Sequence, residues 1–131
     1  GMTRCAEVGG LDLMRDLFMP LITNEEFQET ARPNFLNDNG YTPMTSADND
    51  YNLLAAGATA NWDVPYEKID MPVLVLTGQQ DRLFYVEEDV ANRTARMPNA
   101  RRIDMANAAH MLPVERPTEF SKALLDFAAA L

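Results

Sequence analysis

The sequence predicts an α/β fold: a helical segment over residues 3–62, then a strand, helix, strand, helix unit over 63–131 whose two strands run parallel. Three observations predict it. Before Trp62, apolar residues recur at three- and four-residue steps and no strand pattern interrupts them. After Trp62 an unbroken aliphatic run, Val73-Leu74-Val75-Leu76, stands between Pro72 and Gly78, as suits a strand covered on both faces. The segments that follow alternate between helical and extended patterns, the signature of a parallel βαβ unit.

At 131 residues the chain is long enough for one domain that buries roughly two thirds of its unfolded surface. With 47% hydrophobic and 24% charged residues, the composition is that of a folded chain and not of a disordered tail. The net charge of −9 argues against nucleic acid and against an anionic membrane surface, since both need clustered Lys and Arg. No apolar run approaches the roughly 20 residues that span a bilayer, and the N-terminus has no signal-peptide pattern, so a cytoplasmic protein is expected. One cysteine, Cys5, excludes an internal disulfide and reads as an inert thiol. With a single histidine there is no metal-ligand cluster, and no glycine-rich phosphate loop occurs; no metal and no cofactor are expected.

The first helix carries Leu13, Met14, Leu17, Phe18 and Leu21 on one face and should end near Pro20. A second starts at Thr23, where Thr23-Asn24-Glu25-Glu26 reads as a capping box with the threonine oxygen accepting from the Glu26 amide. Pro33 should break or kink it, and Asn37-Asp38-Asn39-Gly40 reads as a turn. A third helix is expected from Ser46 to Ala58, capped by Ser46 or Thr45, with Tyr51, Leu54 and Ala58 on one face. Beyond the strand at Val73, the spacing of Val86, Val90, Thr94 and Met97 predicts a helix stopped by Pro98-Asn99. Its start, Glu87-Glu88-Asp89, is a solvated first turn where negative charge suits the helix dipole. Arg101 to Met105 reads as a second strand with Ile103 and Met105 inward, and Pro117 as the start of a last helix with the stripe Phe120, Leu124, Phe127 and Leu131.

Parallel strands of one βαβ unit end on the same edge of the sheet, about 4.8 Å apart if adjacent. Asp81 follows the first strand and His110, the one histidine, follows the second. Both therefore fall in the crevice beyond the carboxyl ends of the strands, where open α/β sheets place their ligands. A carboxylate there can hold an imidazole in one tautomer and stabilise its charged form. Taken singly, Asp81 also fits an ordinary turn aspartate, and His110 a solvated side chain. Met14, Met19, Met44 and Met71 suit an adaptable pocket or plain core filling, and Trp62 and Tyr66 suit packing where the helical segment meets the sheet.

Met71-Pro72-Val73-Leu74-Val75-Leu76-Thr77-Gly78-Gln79-Gln80-Asp81, then Pro98-Asn99-Ala100, then His110 with Glu115 and Pro117 behind it, resembles the C-terminal part of the α/β-hydrolase fold superfamily. The shared pattern is an apolar strand, Gly-x-x-Asp, a helix, a strand and His-x-x-x-x-Glu-x-Pro, over about half the chain. The resemblance implies a partial α/β-hydrolase fold with Asp81 as triad acid and His110 as general base, and residues 3–62 as a helical cap. Asn61-Trp62-Asp63 ahead of Ile69 is similar to the proline iminopeptidase branch.

The nucleophile of that fold sits in Gly-x-Ser-x-Gly, earlier in the chain than the acid, and this sequence has no such motif. Its serines, Ser46 and Ser121, fall at a helix cap and in the last helix. The chain thus looks like a cap plus the last third of a hydrolase, truncated ahead of the part that attacks, and is expected to be inactive by itself. Two strands alone are marginal in water and leave edges open to pairing. Association is therefore expected, either as a homo-oligomer by swapping or edge pairing, or with a chain that brings the nucleophile half. The implied activity is hydrolysis of an ester, lactone or amide in a small-molecule substrate, once the site is completed. The alternative is an inactive relative that serves as a binding or interaction module.

Overall fold

A computed structural model of the chain describes residues 1–35 and 40–131. They form two compact units, one of residues 1–20 and 28–63, the other of residues 21–27 and 64–131. The turn expected at Asn37-Asp38-Asn39-Gly40 lies, but for Gly40, outside the described residues.

The first unit is helical. It contains most of α1 (Met2–Ile22) and α2 (Glu25–Phe35) and all of α3 (Asn49–Thr59). A kink interrupts α1 at Gly10, whose φ of 69° and ψ of −164° belong to no helix. Glycine is required there twice over, by the positive φ and because a Cβ would collide with the carbonyl oxygen of Thr42. Polar side chains tie the unit together: Tyr51 donates its hydroxyl to Glu7 Oε1 at 2.9 Å, and Tyr41 donates to Asp16 Oδ2 at 2.9 Å.

Several boundaries differ from the sequence expectation, each for a local reason. Helix α1 continues past Pro20 to Ile22, since a proline perturbs the turn before it without forbidding helix after it. Helix α2 likewise runs through Pro33 to Phe35. The residue that caps α2 is Asn24 and not Thr23: Asn24 Oδ1 accepts from the Phe27 amide at 2.7 Å, while Glu26 pairs with Arg116 at 2.7 Å. Both Thr and Asn are competent caps, and the buried partners of Asn24 select it. Helix α3 starts after Asp48, whose Oδ2 accepts from the Thr45 amide at 2.8 Å, so neither Ser46 nor Thr45 is its cap residue. Of the face expected on α3, Tyr51 and Leu54 are half-buried and Ala58 is exposed. Trp62 is 74% exposed and donates its Nε1 to the Gly57 carbonyl.

The second unit is a βαβα arrangement. Strand β1 (Val73–Gly78) and strand β2 (Ala100–Met105) pair in parallel, with Val73 opposite Ala100 and Gly78 opposite Met105. Helix α4 (Glu87–Arg96) is the crossover, and the short α5 (Leu112–Glu115) and the longer α6 (Pro117–Ala129) follow. Val73 to Thr77 are half-buried, less covered than the sequence implied, because the described sheet has two strands. Ile103 and Met105 are also half-buried. On α6 the buried residue is Ala123, and Leu124 and Leu131 of the expected stripe are exposed. Tyr66 lies in a single 3₁₀ turn, Tyr66–Lys68, beneath the guanidinium of Arg96, 5.2 Å from its ring centroid. Among the described residues no helix is long and apolar enough to cross a membrane.

Candidate active site

The site grows from the carboxyl ends of β1 and β2. Gly78 ends β1, and the chain turns at once: the Asp81 amide donates to the Gly78 carbonyl at 3.2 Å. Asp81 Oδ1 then accepts from the amides of Leu83 and Phe84 at 3.0 and 2.9 Å, an aspartate-built turn. That leaves Oδ2 free to face the next loop. Asp81 is therefore both a turn aspartate and a candidate acid, one oxygen serving each purpose.

Strand β2 ends at Met105, and residues 106–111 fold back across the end of β1. The Gln80 amide donates to the Ala108 carbonyl at 2.9 Å, and the Gln79 amide to the Met105 carbonyl at 3.1 Å. Ala108 and Ala109 are fully buried. His110 follows with its amide held by the Ile22 carbonyl at 2.9 Å, and its Nδ1 stands 2.9 Å from Asp81 Oδ2. The sheet thus brings together the two residues singled out in the sequence.

The two differ in exposure in a way that suits an acid–base pair. The Asp81 side chain is 6% exposed and that of His110 is 50% exposed. A buried acceptor on Nδ1 favours the tautomer that carries its proton there, which leaves Nε2 as the basic nitrogen. Nε2 makes no hydrogen bond to another described residue. The Phe84 ring packs against the imidazole, centroids 4.7 Å apart and planes tilted by 39°. Gly78, Asp81, Phe84, Tyr85, His110 and Leu112 all line one depression of about 210 Å³. Among the described residues no three His, Cys, Asp or Glu side chains are grouped to hold a metal ion.

Four further residues shape this site, and the sequence reading gave none of them a role there. Glu115 had appeared only as part of a motif. It is buried, and its carboxylate accepts from the amides of Ala109 at 2.6 Å and Met111 at 3.3 Å. Asn24, 2% exposed, donates Nδ2 to Glu115 Oε2 at 2.9 Å. Gly78 and Phe84 complete the set; Gly78 stood in the sequence only as the glycine of Gly-x-x-Asp, and nothing in the sequence marked Phe84. Ser46 lies in the turn before α3, and Ser121 is exposed on α6.

The fold has a solved counterpart. A structure described as Est816, an N-acyl homoserine lactone degrading enzyme, superposes with a TM-score of 0.64 at 18% sequence identity, covering 95% of this chain. The chain spans about half the length of that structure, 50% of its residues. No family model matches the sequence, and no curated protein does. At this identity the likeness establishes architecture alone: the chain has part of an α/β fold that this lactone-degrading enzyme also has. It lends no support to the proline iminopeptidase branch.

Proposed function

We propose that this chain supplies the base and the acid of a nucleophile-His-Asp hydrolase acting on an ester, lactone or amide bond. The observation that carries the reading is the 2.9 Å contact between buried Asp81 Oδ2 and Nδ1 of half-exposed His110. With Nδ1 protonated toward Asp81, Nε2 takes the proton of a hydroxyl nucleophile as it attacks the acyl carbon. The same nitrogen then returns the proton to the leaving group, and Asp81 stabilises the imidazolium between the two events. A base so placed contributes on the order of 10²–10⁴ in rate. The lactone-degrading activity of the structural neighbour makes lactones one substrate class worth testing.

The nucleophile comes from outside these residues, on a further segment or on a partner chain. The unpaired edges of β1 and β2 among the described residues are where such a partner, or a second copy, adds a strand. Residues 3–62 are read as the helical cap segment of such a hydrolase.

The test is hydrolysis of 4-nitrophenyl esters, homoserine lactones and proline-terminated amides, by the chain alone and by any complex that co-purifies with it. Turnover by the complex that falls at least about 100-fold on His110→Ala supports the proposal. A complex that hydrolyses equally well with and without His110 contradicts it. Turnover by the isolated chain that depends on His110 contradicts the external nucleophile.

A further inference from the structure

Glu115 accepts from the backbone N–H groups of Ala109 and Met111, the residues immediately before and after His110. Burying a carboxylate is costly unless its oxygens are satisfied. An apolar side chain would cover the same space on α5 without that cost. The carboxylate is explained by what it fixes, the two peptide groups that flank the histidine.

Asn24 completes the arrangement. Its Oδ1 caps α2, and its Nδ2 donates both to Glu115 Oε2 at 2.9 Å and to the Asn107 carbonyl at 3.1 Å. The backbone just ahead of it grips both loops of the site. Leu21 offers its carbonyl to the Arg82 amide at 2.8 Å, next to Asp81, and Ile22 offers its carbonyl to the His110 amide at 2.9 Å. One short stretch, residues 21–24, is therefore bonded to the acid loop and to the base loop at once.

We propose that Glu115 and Asn24 are a positioning pair which sets the His110 backbone so that Nδ1 meets Asp81. The proposal rests on the Asp81–His110 reading above, and neither residue touches the reacting atoms. Displacements of about 1 Å in such a site cost on the order of 10² in rate, so a clamp on both sides of the histidine is worth its desolvation.

The single histidine makes the test direct, because its two imidazole ¹⁵N signals are unambiguous. Long-range ¹H–¹⁵N spectra of the neutral ring are recorded for the wild-type chain and for Glu115→Ala, Glu115→Gln and Asn24→Ala, with circular dichroism to confirm folding. The wild type is expected to show one tautomer, protonated at Nδ1. Glu115→Ala and Asn24→Ala are expected to lose the single-tautomer pattern while the Ala109 amide exchanges at least about tenfold faster. Glu115→Gln, which keeps an acceptor for Ala109, restores most of the pattern. Folded alanine variants that retain the wild-type tautomer overturn the positioning role. If Glu115→Ala does not fold, Asn24→Ala decides by the same criterion. A wild-type ring protonated at Nε2 instead removes the Asp81–His110 reading, and the positioning role falls with it.

Discussion

The carbonyl oxygen of Ala109 occupies the space where a side chain on Gly78 would begin. An ideal Cβ on Gly78 would also stand 2.7 Å from the Ala108 oxygen, closer than real Cβ contacts come. The end of β1 and the loop that carries His110 thus touch backbone to backbone, and the distance from Asp81 to His110 depends on that closeness. Gly78→Ala is expected to destabilise the chain by about 1–3 kcal/mol or more through overpacking, and to push the His110 loop away from Asp81. Urea denaturation of the pair of proteins checks it; an unchanged midpoint counts against a close-packed junction.

Leu112 opens α5 directly behind the histidine loop and is 9% exposed. Leu112→Ala is expected to cost about 2–4 kcal/mol, the range for truncating a buried leucine, with the chain still folded if its total stability exceeds that loss. The shift of the urea midpoint measures it.

A pH effect follows from Glu87 at the start of α4. Arg102 bonds it in a fork, Nη2 to Oε2 at 2.6 Å and Nη1 to Oε1 at 3.0 Å, and Tyr85 donates its hydroxyl to the same carboxylate. The Arg102 hydrogen bonds first, and the Tyr85 bond second, hold the Glu87 carboxyl below the ordinary glutamate value. A carboxyl whose value is lowered on folding stabilises the fold fully above the unfolded value of about 4.3, and that stabilisation is lost as pH falls through the lower folded value. Glu87→Gln is therefore expected to be less stable than wild type near neutral pH and to converge with it in acid. Unfolding midpoints across the acid range test this, and parallel curves for the two proteins would contradict it.

The parallel strand pair and the placement of Asp81 and His110 beyond it were legible because both depend on local pattern: an aliphatic run, a crossover helix and the residue that follows each strand. Asn24 was not legible as a site residue. Its partners Asn107 and Glu115 are 83 and 91 positions away, and a side-chain hydrogen bond over that separation leaves no periodic trace in the sequence. The single-turn helix α5 was missed because four residues are too few to show a helical period. The kink at Gly10 was missed for a different reason: it depends on how close Thr42 comes, a tertiary contact. The choice of Asn24 over Thr23 as a cap has the same origin, since the two are nearly equivalent in an isolated helix and only burial separates them.

In the proposed function, buried Asp81 holds His110 with its proton on Nδ1, so that Nε2 faces outward as a base. The most direct measurement is the long-range ¹H–¹⁵N spectrum of the neutral His110 ring in the wild-type chain beside that of Asp81→Ala. A single Nδ1-protonated tautomer is expected in the wild type, and its loss in the variant. Identical spectra for the two proteins would contradict it, because Asp81 would then have no hold on the histidine.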